Sequence, residues 1–145
     1  MLSRTAEYAV RAVVLLARHY GERHVRADEI ASVLGAPRNY LSKTLNALTH
    51  RGILTSARGP GGGYALAIAP NVLSVADVAD VFADTRPGGA RCLLDDSPCN
   101  QTHPCAAHRR WTDISLSARE PLLRTAIGEL CGTREQRTRS AVGRP

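Results

Sequence analysis

Residues 51–68 read Arg51-Gly-Ile53-Leu-Thr-Ser-Ala57-Arg58-Gly59-Pro-Gly61-Gly62-Gly63-Tyr64-Ala-Leu-Ala-Ile68. Two short apolar runs, 53–57 and 64–68, flank a turn made almost entirely of glycine and proline, and that pattern predicts a β-hairpin. What precedes the hairpin decides its meaning. Residues 26–34 carry Ala27, Ile30, Val33 and Leu34 at helical spacing and stop at Gly35. Residues 38–49 repeat the pattern with Leu41, Leu45 and Leu48. Two short helices joined by Gly35-Ala36-Pro37 match a helix-turn-helix, and a hairpin placed directly after such a unit reads as a wing.

Upstream, residues 3–20 place Ala6, Ala9, Val10, Val13, Val14, Leu16 and Ala17 on one helical face, with Ser3 as N-cap. Downstream, residues 71–83 predict a helix through Val75, Val78, Ala79 and Phe82 with Ser74 as cap. Residues 84–104 show no period, which predicts a long functional loop. A further helix is expected from about Pro104, kinked or ended at Pro121, with a last turn at 125–130 and a basic, disordered tail over 132–145. The fold class is therefore mainly α with a small β-hairpin wing. Aromatics make up only 4% of the chain, so Ala, Val, Leu and Ile must build the core.

The chain carries a net charge of +6, with 19 basic residues against 13 acidic. Residues 1–70 hold 9 Lys and Arg against 4 Asp and Glu, whereas residues 71–145 are almost balanced at 10 against 9. The positive field thus lies with the helix-turn-helix, as a polyanionic partner requires. No stretch approaches the ~20 apolar residues a bilayer demands, and the N-terminus lacks a signal-peptide pattern, so a cytoplasmic protein with no membrane partner is expected.

In a helix-turn-helix the first residues of the second helix meet base edges in the major groove. Here they are Arg38, Asn39, Tyr40, Ser42 and Lys43, with Asn46 on the same face. Arginine and lysine suit guanine O6 and N7, and asparagine suits adenine. Gly59, Gly61 and Gly62 allow the wing backbone to approach the sugar–phosphate wall, and Arg58 beside them can enter the minor groove. The turn lacks the Gly-Lys-Ser/Thr ending of a phosphate-cradling loop.

The long loop contains Cys92, Cys99, Cys105 and His108, a C-x6-C-x5-C-x2-H set. Clustered thiols in a reducing compartment point to metal rather than to disulfides. Three thiolates and one imidazole suit an iron–sulfur cluster with one exchangeable iron site. Structural zinc is the alternative, although its knuckles are usually shorter. His103 ranks below His108 because Pro104 follows it, and Cys131 reads as a small buried hydrophobe. A thiol enzyme with His108 as base finds no orienting third group or oxyanion motif, so no enzyme activity is expected.

These residues also carry a resemblance. Glu7-Tyr8-Ala9-Val10-Arg11-Ala12, Tyr40-Leu41, the wing Arg58–Tyr64, the three-cysteine loop, His108-x-x-Trp111 and Ile127-Gly128-Glu129-Leu130 together resemble the Rrf2 family of winged helix-turn-helix transcriptional regulators, in its IscR- and NsrR-like forms. The resemblance implies a homodimer formed through the long helix after the cysteine loop, and a palindromic operator in double-stranded DNA. It also implies an iron–sulfur cluster, 2Fe–2S or 4Fe–4S, whose state changes DNA affinity in response to nitric oxide, redox state or iron–sulfur status. The fourth ligand would be His108, or Glu7 of the partner subunit. The first cysteine gap is one residue longer than the IscR pattern. The resulting organisation is a DNA-binding domain at 1–83, a cluster-binding loop at 84–105, a dimerisation helix and final turn at 106–131, and a tail at 132–145.

Overall fold

A computed structural model describes residues 2–83, 94 and 102–132, apart from the side chains at 115, 116, 118 and 119. Helices α1 (Arg4–Ala17), α2 (Ala27–Leu34) and α3 (Arg38–His50) precede strands β1 (Leu54–Ala57) and β2 (Gly63–Leu66). Helix α4 (Val75–Ala79) runs into a 3-10 turn at Asp80–Phe82, and α5 (His108–Leu123) and α6 (Ile127–Leu130) follow. The mainly helical fold with one hairpin matches the sequence expectation.

Helix α1 begins where the Ser3 hydroxyl accepts from the Ala6 N–H at 3.2 Å, satisfying one orphan donor of the first turn. Its buried row is Ala6, Ala9, Ala12, Val13, Leu16 and Ala17. The four alanines keep that face low, so neighbouring helices can approach closely, and Val13 and Leu16 supply the volume. Ile30 from α2, Leu41, Leu45 and Leu48 from α3, and Leu54 from β1 close around them, all fully buried or nearly so. Burial of each such side chain contributes about 1.5–3 kcal/mol. The one buried polar residue among those described, Thr44, donates its hydroxyl to the Tyr40 carbonyl within α3.

The strands pair antiparallel from Leu54 opposite Leu66 to Ala57 opposite Gly63. Each is one residue shorter than its apolar run, and β2 begins one residue earlier, at Gly63. The hairpin gains a third rung on its other edge, where Val25 and Tyr64 exchange both backbone hydrogen bonds, at 2.9 and 2.8 Å. Gly63 makes this possible. It lies at φ +137°, and a Cβ there would run into the Val25 carbonyl.

Two expectations are corrected. The fourth helix starts at Val75, directly after the Ser74 cap that the sequence named, rather than at 71, because its preceding backbone is engaged elsewhere. Leu73 accepts from the Ile127 N–H at 2.8 Å, and Val75 donates to Thr125 at 3.0 Å, which holds Ser74 extended against Ala126. Ser74 and Asp77 then form a reciprocal capping box, and Ser74 holds the Asp77 carboxyl below its usual range. Nor does Pro121 end the last long helix, which starts at His108 rather than at Pro104 and runs to Leu123. The bond that Pro121 cannot donate falls in the last turn. There the Arg124 N–H still reaches the Glu120 carbonyl at 3.1 Å, and the Thr125 hydroxyl caps the Pro121 carbonyl at 3.0 Å.

Residues 125–131 return to the N-terminal unit. Ile127 is fully buried in the same core as α1, and a Cβ on Gly128 would overlap the Asn71 side chain. The sequence grouped this segment with the helix before it. Its backbone bonds run instead to Pro70, Leu73 and Val75. No helix among the described residues is long and apolar enough to cross a membrane.

Candidate nucleic-acid interface and cysteine loop

Because Leu41, Leu45 and Leu48 turn inward, the opposite face of α3 is left to solvent. Arg38, Asn39, Tyr40, Lys43 and Asn46 are exposed and Ser42 is half-buried. The wing turn presents Arg58, Gly59 and Gly61, also exposed. A shallow cleft of about 210 Å³ joins the two elements, lined on the helix side by Arg26, Asp28 and Arg38 and on the wing side by Gly59, Gly62 and Gly63.

These residues have different local duties. Gly62 is buried, and a Cβ on it would stand 2.5 Å from the Ala57 carbonyl, so the turn itself requires its absence. Asn46 accepts a hydrogen bond from the Tyr64 hydroxyl at 2.9 Å, tying β2 to α3. Tyr40 bonds the Thr5 hydroxyl and meets the Tyr8 ring edge-on at 5.9 Å, so it braces α3 against α1. The Arg4 and Arg11 guanidiniums lie 5.9 and 6.0 Å from the centre of that Tyr8 ring, adding two cations beside the start of α3. Asn39, Lys43 and Arg58 show no such local engagement among the described residues.

Arg26 and Asp28 were missed by sequence reasoning. Asp28 reads from sequence as a first-turn helix acid, where the helix dipole favours it. In the fold it also receives Arg38, whose Nε stands 2.7 Å from its Oδ1. Only the spatial closure of the α2–α3 turn reveals that pair.

Of the predicted cluster ligands, Cys92 and Cys99 lie outside the described residues, as does most of the 84–105 loop. The other members are visible. Cys105 and His108 are both half-buried, and the His108 N–H reaches the Cys105 carbonyl at 3.1 Å in the turn that opens α5. The donor chemistry fits: a thiol and an imidazole are built into the same turn, three residues apart. Glu7 is half-buried in the first turn of α1. Among the described residues no three His, Cys, Asp or Glu side chains come together as a metal site. Cys131 is half-buried against the core rather than buried within it. It donates to the Ile127 carbonyl at 3.4 Å, and burial pushes its ionisation up, although Arg18 opposes the shift.

The Rrf2 family model, described as an iron-dependent transcriptional regulator, matches residues 2–133. An HTH-type transcriptional regulator of Aquifex aeolicus is 31% identical over 94% of this chain and 94% of its own length. The regulator IscR of Pectobacterium atrosepticum is also 31% identical, over 92% of this chain and 80% of its own. Among solved structures, CymR, the global cysteine regulator of B. subtilis, superposes with a TM-score of 0.69 at 25% identity, covering 90% of this chain and 95% of its own. IscR of T. potens does so with a TM-score of 0.68 at 25% identity, covering 90% and 85%. With the hairpin following a helix-turn-helix, a basic reading face and a match over nearly its whole length, the chain belongs to the Rrf2 family of DNA-binding transcriptional regulators and is not an enzyme.

Proposed function

We propose that this protein is a cytoplasmic homodimeric regulator whose affinity for a palindromic operator is controlled by an iron–sulfur cluster. Cys92, Cys99 and Cys105 would hold the cluster, with His108 or the partner subunit's Glu7 as fourth ligand. The observation that carries the reading is the placement of the last two donors of the C-x6-C-x5-C-x2-H set. Cys105 and His108 form the turn from which α5 starts, and α5 leads through Thr125 into the segment bonded to Leu73 and Val75. The loop is therefore joined by continuous, hydrogen-bonded structure to the core that carries α3. A cysteine regulator shares this fold, so the donor set rather than the fold supports the cluster.

When bound, such a cluster supplies a centre that oxidants, nitric oxide or iron limitation can dismantle. The residues of the chain do the rest. Asn39 and Lys43 on α3 meet base edges, Arg38 supplies a guanidinium for guanine, and Arg58 follows the minor groove from the wing. Arg4, Arg11 and Arg26 surround this face with charge that draws phosphate. The exposed Ile114 and Leu122 on α5 supply the apolar surface for the second subunit.

Anaerobic purification followed by iron, sulfide and zinc analysis, visible absorption and Mössbauer spectroscopy tests the cluster. Affinity of cluster-loaded and cluster-free protein for a duplex selected from a random library tests the control. A coloured protein whose two forms differ at least tenfold in affinity is expected. One zinc per chain without iron, or equal affinities, would overturn the sensing role.

A further inference from the structure

The Arg38–Asp28 pair has a place and a chemistry that neither residue shows alone. Arg38 is the first residue of α3, whose first turn holds no acid. A helix N-terminus is the positive end of the peptide dipoles, so a cation there is disfavoured unless a carboxylate offsets it. Asp28, in the first turn of α2, provides that carboxylate, 2.7 Å from Arg38 Nε. Both side chains remain largely in solvent, at 67% and 55% exposure, so the pair contributes little to the stability of the fold. It also sits in the cleft shared with Gly59 and Gly62 of the wing turn, not on a remote surface.

A carboxylate on a face that meets DNA repels phosphate and lowers affinity for every sequence. Its presence needs a return in selectivity. Guanidinium is planar with five N–H donors, and an ion pair on the Nε side leaves the two terminal NH2 groups as a paired fork. Those groups bond no other described residue. Two parallel donors at the start of a recognition helix match the O6 and N7 acceptors of one guanine.

We propose that Asp28 is a positioning residue for base reading: it holds Arg38 through Nε so that the terminal guanidinium fork meets a single guanine in each half-site. The proposal rests on the reading of α3 as the helix that enters the major groove. Asp28 touches no base. It trades general affinity for discrimination, as specific interfaces do when they combine attraction with a penalty against wrong partners.

Selection from a randomised duplex library with the full chain, followed by sequencing, tests this with wild type, Asp28→Asn, Arg38→Ala and the double variant. Wild type should enrich a guanine at one position per half-site. Asp28→Asn should lose roughly tenfold of the preference there, the scale of a bidentate contact, while keeping the other positions. It should also bind an unselected duplex more tightly, because one repulsive charge is gone. Arg38→Ala should lose the same position, and Asp28→Asn should add nothing to it. Asp28→Glu, which keeps the charge but moves it outward, should recover part of the preference. Full guanine preference in Asp28→Asn would overturn the proposal, as would stronger preference (Asp28 masking Arg38) or equal loss at all positions. No enriched sequence with wild type would overturn the groove reading itself, a separate failure.

Discussion

The helix-turn-helix with its wing and helix α5 both display exposed side chains, but they are held in different ways. Around α3, each exposed element is tied to a neighbour. Tyr64 links the wing to Asn46, Val25 pairs with the wing's free edge, Tyr40 bonds α1, and Arg38 forms an ion pair with α2. Beneath these ties runs a continuous aliphatic core. Along α5, Ile114 is 63% exposed and Leu122 is 47% exposed, and the Glu120–Arg124 ion pair lies within the helix itself. A DNA-reading surface must be in place before it meets its ligand, since every side chain ordered on binding costs affinity. A helix that is to dock on a second subunit can keep apolar residues in water until that subunit covers them. Under the proposed function, the reading head is complete in one chain, and the dimerisation arm, α5, is not.

The largest effect is expected at the segment after α5. Ile127 is fully buried with α1 although it follows α5 in sequence. Ile127→Ala should cost about 2–5 kcal/mol of unfolding free energy, as other large-to-small core changes do. Denaturant titration would measure it, and a loss below about 1 kcal/mol would show that residues 125–131 do not belong to the reading head's core.

Next in size is Gly63→Ala. Its positive φ strains any side chain by about 1–3 kcal/mol, and the Val25 carbonyl blocks the added methyl. Weaker DNA binding with protected α1–α3 amides in hydrogen exchange is the expected outcome, because the wing detaches before the helices melt.

A smaller effect, about 1 kcal/mol, is expected for Ser74→Ala, which removes the α4 cap. This change carries a pH signature. Asp77 titrates below its ordinary value of 3.8, chiefly through the Ser74 hydroxyl and then the Ser74 backbone N–H. Its contribution is therefore fully present above that ordinary value, and is lost as pH falls through the lower, folded value. Melting curves of wild type and Ser74→Ala should draw closer as the pH is taken below 3.8, with the part due to the Asp77 N–H bond to the Ser74 hydroxyl remaining. The smallest effect is that of Ile114→Ala on α5, within about 0.5 kcal/mol for the isolated chain, as for other surface changes. If α5 joins two subunits, the same variant should weaken the dimer in sedimentation or light scattering while leaving the monomer's fold intact. That split would sharpen the contrast between arm and head.

Most of the reading head was legible because its signals are local. The apolar rows of α1, α2 and α3 repeat at helical spacing, and the glycine–proline turn between two apolar runs dictates a hairpin whatever surrounds it. The exposed residues of α3 followed directly, since the leucines assign the inner face. Which of those residues also brace the fold was not legible. Nothing in the string around Tyr40 or Asn46 announces a bond to Thr5 or Tyr64, which lie 35 and 18 residues away.

The elements, the basic exposed face of α3 and the cysteine–histidine donor set can be read from the amino-acid sequence, because periodicity, charge and ligand spacing are properties of neighbouring residues. Tertiary structure decided where α4 begins, which glycine the wing requires, where residues 125–131 dock and that Arg38 is held by Asp28. Each of these depends on separate segments meeting in space: Leu73 with Ile127, Gly63 with Val25, and Arg38 with Asp28. The cost of leaving a buried backbone group unpaired or overlapping a carbonyl exists only once they have met.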